Sequence, residues 1–297
     1  MKPACNLAKN NASVALFFRS RPGLVQGRAN TGMSSIIDTY SKLAQEYESP
    51  ENLSSCWGKM TRHCIGMTRI KENAQLVADV GCGPGIEMAA FAKERPETHF
   101  IGVEPAEELR HSAEAKASKL SNASVLNGRF EELPFEDQSV DYIYSILAFH
   151  WTTNLKGSVN EFARVLKPDG EMDLMFIGRH NGKEFIKQTS PIFYKFIPPR
   201  TLMESASMRQ QMTVEAADNL FRPVFKERLS VTESYHTYFD TLEGHWSWWC
   251  RIEGQFVNIS PEVRSECDRE VKSALAELDT EKGIPYTIHL LHVSVRN

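Results

Sequence analysis

The stretch VADVGCGPGIEMAAFAKERPETHFIGVEP, residues 77–105, constrains the fold more than any other part of the chain. It opens on a short apolar run that Gly81 ends, continues as a helical segment that Pro96 stops, and closes on a second apolar run followed by Glu104 and Pro105. The same alternation continues downstream. AEELRHSAEAKASKL reads as a helix, ASVLNGRF as a strand, DYIYSILAFHW as a strand with its exit loop, and KGSVNEFARVLKPDGEMDLMFIG as helix, Lys-Pro-Asp-Gly turn and strand. Short apolar strands alternating with helices of this length form βαβ units with right-handed crossovers, and hence a parallel sheet covered on both faces. Residues 77–178 supply five strands of it.

The flanks are less regular. IIDTYSKLAQEY, residues 36–47, spaces Ile36, Tyr40, Leu43 and Tyr47 as one amphipathic helix, and a second helix covers CWGKMTRHCIGMTRI. After His180 the alternation stops. Residues 181–224 offer helices interrupted by Pro191, Pro198 and Pro199 with no strand between them, and are expected to form an inserted cap. Residues 225–297 resume with a strand in FKERLSVTESYHTYF, a helix from Pro261 and a last strand, YTIHLLHVSVR. The chain thus divides into a basic segment (1–35), a core (36–180), a cap (181–224) and a completion of the core sheet (225–297). The first acid is Asp38, preceded by Lys2, Lys9, Arg19, Arg21 and Arg28. The leading segment is therefore an organellar transit peptide, an unstructured basic tail, or sequence upstream of a start at Met33. A cytoplasmic location is expected, or a mitochondrial one if the segment is a transit peptide.

Three glycines, Gly81, Gly83 and Gly85, follow the first strand, and position 86 is Ile. Dinucleotide binding asks for G-x-G-x-x-G/A, whose third small residue sits one position later. Asp79 just before the loop would repel a pyrophosphate, but suits a ligand bearing an ammonium group and a sulfonium. Glu104 closes the second strand, where a carboxylate accepts two hydrogen bonds from a ribose diol.

VADVGCGPG, IGVEP, GRFEELPFEDQSVDYIYS and EFARVLKPDGEM, in this order, resemble the class I S-adenosylmethionine-dependent methyltransferases, in particular the small-molecule group related to ubiquinone/menaquinone and malonyl-carrier-protein methyltransferases. The resemblance covers residues 36–180 well and the C-terminal strands loosely. It implies a Rossmann-like, seven-stranded, mostly parallel sheet with helices on both faces, the last two strands lying near 226–233 and 286–295 and the final one antiparallel; the helical cap expected after the fifth strand has no counterpart in the resemblance. By motif position Asp79, Gly81, Cys82 and Gly83 would line the methionine part of S-adenosylmethionine, Glu104 would hold the ribose, and Pro105 would pack beside the adenine. Where the family usually has an acid after the glycine of GRFEELPF, this chain has Arg129. The Phe130 backbone and the Glu131 side chain are then the adenine candidates, with Arg129 as a stacking partner. Ile146 stands where the family often has Asn, so a main-chain contact is expected there. Tyr40 and Tyr47 lie on the helix that commonly folds over the cofactor, and each is either a cofactor contact or plain helix core.

Methyl transfer from a sulfonium needs alignment and exclusion of water, and a base only where the acceptor is protonated. His150, at the carboxyl end of the fourth strand where ligand crevices of open α/β sheets lie, is a candidate base, a substrate-orienting group or a structural loop histidine. Trp151 reads as packing or as a substrate platform. Trp246, Trp248 and Trp249, with Tyr235, Tyr238 and His245, either fill core or form an aromatic pocket. His289 and His292 are too close for a metal-ligand pair, the six cysteines form no close pair, and no metal is expected. No apolar run reaches the roughly 18 residues of a membrane span. A net charge of -4 gives no general attraction to nucleic acid. The expected partner is a small-molecule methyl acceptor, with O-methylation of a hydroxyl or carboxyl the leading subtype. N-, S- or C-methylation, an NAD(P)-dependent oxidoreductase, and a non-catalytic cofactor-binding assembly factor are the alternatives.

Overall fold

The computed structural model describes residues 31–297; the basic segment up to residue 30, with the transit-peptide or tail reading attached to it, lies outside the described residues. Four helices come first: α1 (Thr31–Lys42), α2 (Ala44–Tyr47), α3 (Pro50–Ser54) and α4 (Cys56–Met67). The single helix expected over 36–47 is two, broken at Leu43, and no Gly or Pro there announces the break. The alternating region follows as β1 (Leu76–Val80), α5 (Ile86–Glu94), β2 (His99–Val103), α6 (Glu107–Ala117), β3 (Ala123–Leu126), β4 (Val140–Ile146), α7 (Leu155–Val165) and β5 (Leu166–Ile177). The Lys167-Pro168-Asp169-Gly170 turn proves to be an irregularity within β5. Val140 pairs with Leu166 while Tyr142 pairs with Glu171, so four residues face one.

Next come α8 (Lys183–Phe196), α9 (Pro199–Ser207), α10 (Val214–Phe225), β6 (Leu229–Asp240), α11 (Leu242–Arg251), α12 (Pro261–Ala276) and β7 (Ile284–Val295). The sheet runs β3-β2-β1-β4-β5-β7-β6, parallel through β1 to β5, with β7 antiparallel to both of its neighbours. This is the seven-stranded Rossmann-like arrangement expected. β6 starts at Leu229 rather than near 225, because α10 continues to Phe225 across Pro223 and a 3-10 turn occupies Lys226–Arg228.

All five residues of β1 are buried, as a central strand covered on both faces requires. On one face Phe149 gathers Phe130, Phe162, Phe176 and Phe221 at ring separations of 5.4, 5.7, 5.2 and 5.6 Å. Phe221 comes from α10, so this helix of the segment expected as a cap lies on the sheet. On the other face Met60, Phe185, Trp248, Trp249, Val271 and Ile288 form a second core that joins α4, α8, α11 and α12 to β7. Chain order reverses between β1 and β4, and there the carboxyl ends of the strands open a crevice, the usual ligand position of such sheets. Among the described residues no helix is long and apolar enough to cross a membrane.

Candidate active site

One cavity of about 500 Å³ fills that crevice. Its first half is the glycine loop. Gly81 has φ 77°, and a Cβ added there would stand 2.5 Å from the Ala148 Cβ, so only glycine fits. Gly83 has φ 53°, but an added Cβ would meet nothing within 4 Å, so its backbone faces open space. Gly85 precedes α5 as its N-cap, close against Ala113. Cys82 is buried with its sulfur beside Gly102 of β2. Burial, then the charge of Asp79, keeps its thiol protonated.

Glu104 ends the second strand segment and ties it to the loop. Oε2 accepts from the Gly83 N–H at 2.9 Å and Oε1 from the Ala106 N–H at 2.8 Å. Each oxygen keeps a lone pair for a further donor, such as a ribose hydroxyl. Burial pushes the Glu104 pKa up to about 7, against the pull of those two N–H groups and Arg110. Asp79 is also buried. Burial raises its pKa well above the carboxylate range, with Glu87 and Glu104 adding to the shift and the Tyr144 hydroxyl opposing it. Glu87, in the first turn of α5, lines the same cavity and is likewise shifted up by burial. It was missed in the sequence, although an acid two residues after the third glycine could have suggested it.

Three carboxyl groups around a backbone cradle open at Gly83 fit a ligand carrying positive charge and a diol. They do not fit a pyrophosphate. S-adenosylmethionine meets this test, with Asp79 and Glu87 available to its cationic portion and Glu104 to its ribose.

The other predicted contacts divide. Pro105, Arg129, Phe130, Glu131 and Ile146 all line the cavity. The Phe130 ring turns into the core between Phe149 and Phe162, while Arg129 is exposed and its backbone pairs with that of Glu132. Glu131 already serves the loop before α7. Its Oε1 accepts from Thr152 Oγ1 at 2.6 Å, Thr153 N at 2.7 Å and Asn154 N at 3.2 Å. Burial opposes its ionisation, but these donors hold its pKa below the usual value. Ile146 is the last residue of β4, and Leu147 after it takes φ 55°.

The second half is largely aromatic. His150 lies in the 3-10 turn Phe149–Trp151, 4% exposed, its Nδ1 without a hydrogen-bond partner among the described residues. Burial, then the Arg209 charge, holds its pKa well below the imidazole range, so the ring is neutral. Its carbonyl accepts from the Gln210 N–H at 2.7 Å, which fixes the turn against the α9–α10 connection. Tyr40 packs on Tyr47, Trp151 and Phe256 at 5.3, 5.5 and 5.1 Å, closing the cavity with the N-terminal helices. Arg209 bridges Glu253 through both nitrogens at 2.7 and 2.8 Å and lies over the Trp151 ring at 5.0 Å.

Of the aromatic stretch around residue 246, Trp248 lines the cavity. Trp249 is core, donating to Asp268 at 3.0 Å, and Trp246 lies beneath Lys272. His245 contacts the Ile284 carbonyl, while Tyr235 stacks on His289 away from the cavity. Tyr238 packs with the second core instead. Trp57, Asn181, Arg209, Glu253 and Phe256 were not singled out in the sequence. Their contribution arises only when distant segments meet. His289 and His292 are strand residues of β7, hydrogen-bonded to Glu233 and Asp173.

The fold and the glycine loop are similar to those of methyltransferase domains. Residues 78–173 match the methyltransferase domain family. An uncharacterized methyltransferase of Schizosaccharomyces pombe is 30% identical over 142 residues, 45% of this chain and 48% of that protein. The malonyl-[acyl-carrier protein] O-methyltransferase 1 of Coxiella burnetii is 31% identical over 115 residues, 39% of this chain and 38% of that protein. The match thus spans about half, or less, of the length of these curated relatives. In structure, the YcgJ protein of Bacillus subtilis superposes with a TM-score of 0.55 at 19% identity, over 81% of this chain and 99% of that one.

Proposed function

We propose that the protein transfers a methyl group from S-adenosylmethionine to a small-molecule acceptor, with the oxygen of a hydroxyl or carboxyl as the receiving atom. The observation that carries this reading is the joining, in one cavity, of the acid-rich glycine loop and an aromatic chamber holding the buried, neutral His150. The name of the Coxiella relative, an O-methyltransferase, supports oxygen as the acceptor atom. Bound in the loop half, S-adenosylmethionine would supply an electrophilic methyl group on a positively charged sulfur.

The protein's own residues do the rest. Glu104 would hold the ribose through the lone pairs that the Gly83 and Ala106 N–H groups leave free. Tyr40, Trp151 and Phe256 close the chamber and keep water from competing for the methyl group. His150 takes the proton of a hydroxyl acceptor. For a carboxylate acceptor it would only orient. Incubating the protein with a methyl-labelled donor and fractionated metabolite extracts tests the reading. The expected result is label in a small organic product, and binding of the donor without transfer to any fraction would contradict it.

A further inference from the structure

The charges inside the chamber discriminate between the two oxygen acceptors. Within the aromatic half the ionic side chains away from the rim are Arg209 and Glu253, while Arg62 and Arg129 are exposed at its edge. Arg209 is neutralised by Glu253 through the two contacts at 2.7 and 2.8 Å, and its guanidinium lies 5.0 Å from the Trp151 ring and 5.7 Å from that of Phe256. What remains is polar but uncharged. His150 Nδ1, Trp151 Nε1, Asn181 Oδ1 and Trp248 Nε1 are buried atoms of residues lining the cavity and have no hydrogen-bond partner among the described residues.

A carboxylate entering this chamber would give up its hydration and, among the described residues, find no unpaired side-chain cation in return; the donor's sulfonium, which any acceptor meets, would be its only positive neighbour there. An indole N–H serves a hydroxyl oxygen as well as a carboxylate, so the polar atoms alone leave the matter open and charge decides it. The aromatic walls call for an apolar body.

Resting on the methyl-transfer reading above, we propose that the acceptor is an uncharged, mainly apolar alcohol or phenol, and that Glu253, by neutralising the Arg209 guanidinium, is the specificity determinant that denies acids a cation. His150 receives the hydroxyl proton and later releases it to solvent. Meanwhile the acceptor oxygen bonds to the methyl carbon and the carbon–sulfur bond breaks, leaving its electron pair on sulfur.

The test uses the full chain, a methyl-labelled donor, and a series of aliphatic alcohols and phenols matched by carbon number with their carboxylic acids. Acceptor binding is read separately by calorimetry with S-adenosylhomocysteine present. The alcohol or phenol series is expected to bind, and to react at least about tenfold faster than the acids. Glu253→Gln, which frees the guanidinium, is expected to move that ratio toward the acids by at least about tenfold. The double variant Arg209→Met with Glu253→Met, whatever its absolute rate, is expected to keep the alcohol preference, and it carries the comparison if Glu253→Gln does not fold. Faster transfer to the acids, no reaction or binding of any alcohol or phenol while the donor still binds, or an unmoved ratio in a folded Glu253→Gln protein would each overturn the proposal. Failure of the donor to bind at all would instead overturn the methyl-transfer reading.

Discussion

Residues 79–105 supply most of the cofactor half from one continuous strand, loop, helix and strand, whereas the acceptor half draws Tyr40, Trp57, His150, Asn181, Arg209, Trp248 and Phe256 from widely separated segments. The first half is rigid by construction. Its backbone is fixed by left-handed glycines, and its acid is pinned by two main-chain N–H groups. The second is held by ring contacts, by the Gln210 N–H to His150 carbonyl bond and by an ion pair between groups 44 residues apart. Changes in the first half should therefore fall on donor affinity, and changes in the second on turnover, selectivity and the docking of distant segments.

The largest effect is expected from Arg209→Ala, which leaves Glu253 largely buried with its partner removed. It should lower the free energy of unfolding by about 3 kcal/mol in urea titrations. His150→Gln should reduce kcat for hydroxyl acceptors by about 100-fold while leaving the donor Kd nearly unchanged. Equal losses in both quantities would merge the two halves. Gly81→Ala combines a left-handed φ with a collision at Ala148 and should cost about 2 kcal/mol of stability. Gly83→Ala, with open space around it, should cost about 1 kcal/mol and act mainly on donor affinity. Glu104→Ala should weaken donor binding by about 2 kcal/mol.

The pH dependence is a further effect of modest size. With its pKa raised to about 7, Glu104 is protonated in part of the free protein, and that form accepts fewer ribose hydroxyl bonds. Donor affinity should then rise as pH increases from 6 to 8, by up to about tenfold, with proton release visible in buffers of different ionisation enthalpy. The sign for stability is opposite. A carboxyl whose folded pKa is raised favours the free fold most below its unfolded value, near 4.5, and loses that contribution as pH rises through about 7.

Why one half was legible in the sequence follows from its construction. Asp79, the three glycines and Glu104 lie within one βαβ unit, where spacing alone dictates position. The strand alternation likewise led to the first five strands, and the last two were read from FKERLSVTESYHTYF and YTIHLLHVSVR, the family resemblance supplying their membership of one seven-stranded sheet and the antiparallel direction of the final one. The break at Leu43 has no local signal, and β6 begins late because α10 tolerates Pro223 inside it. Glu131 had the right type and place for a ligand contact, yet the backbone of Thr153 and Asn154 already claims its Oε1. Arg209 and Glu253 carry no pattern at all until α9, α10 and α11 are packed. Of three adjacent aromatics at 246–249, only packing decides that Trp248 faces the cavity and Trp249 the core.

Everything above depends on what the glycine loop holds, and calorimetry with S-adenosylmethionine and NAD titrated separately into the full chain addresses it most directly. The acid-lined cradle predicts saturable binding of S-adenosylmethionine at one site and no binding of NAD. Tight binding of NAD without binding of S-adenosylmethionine would contradict it.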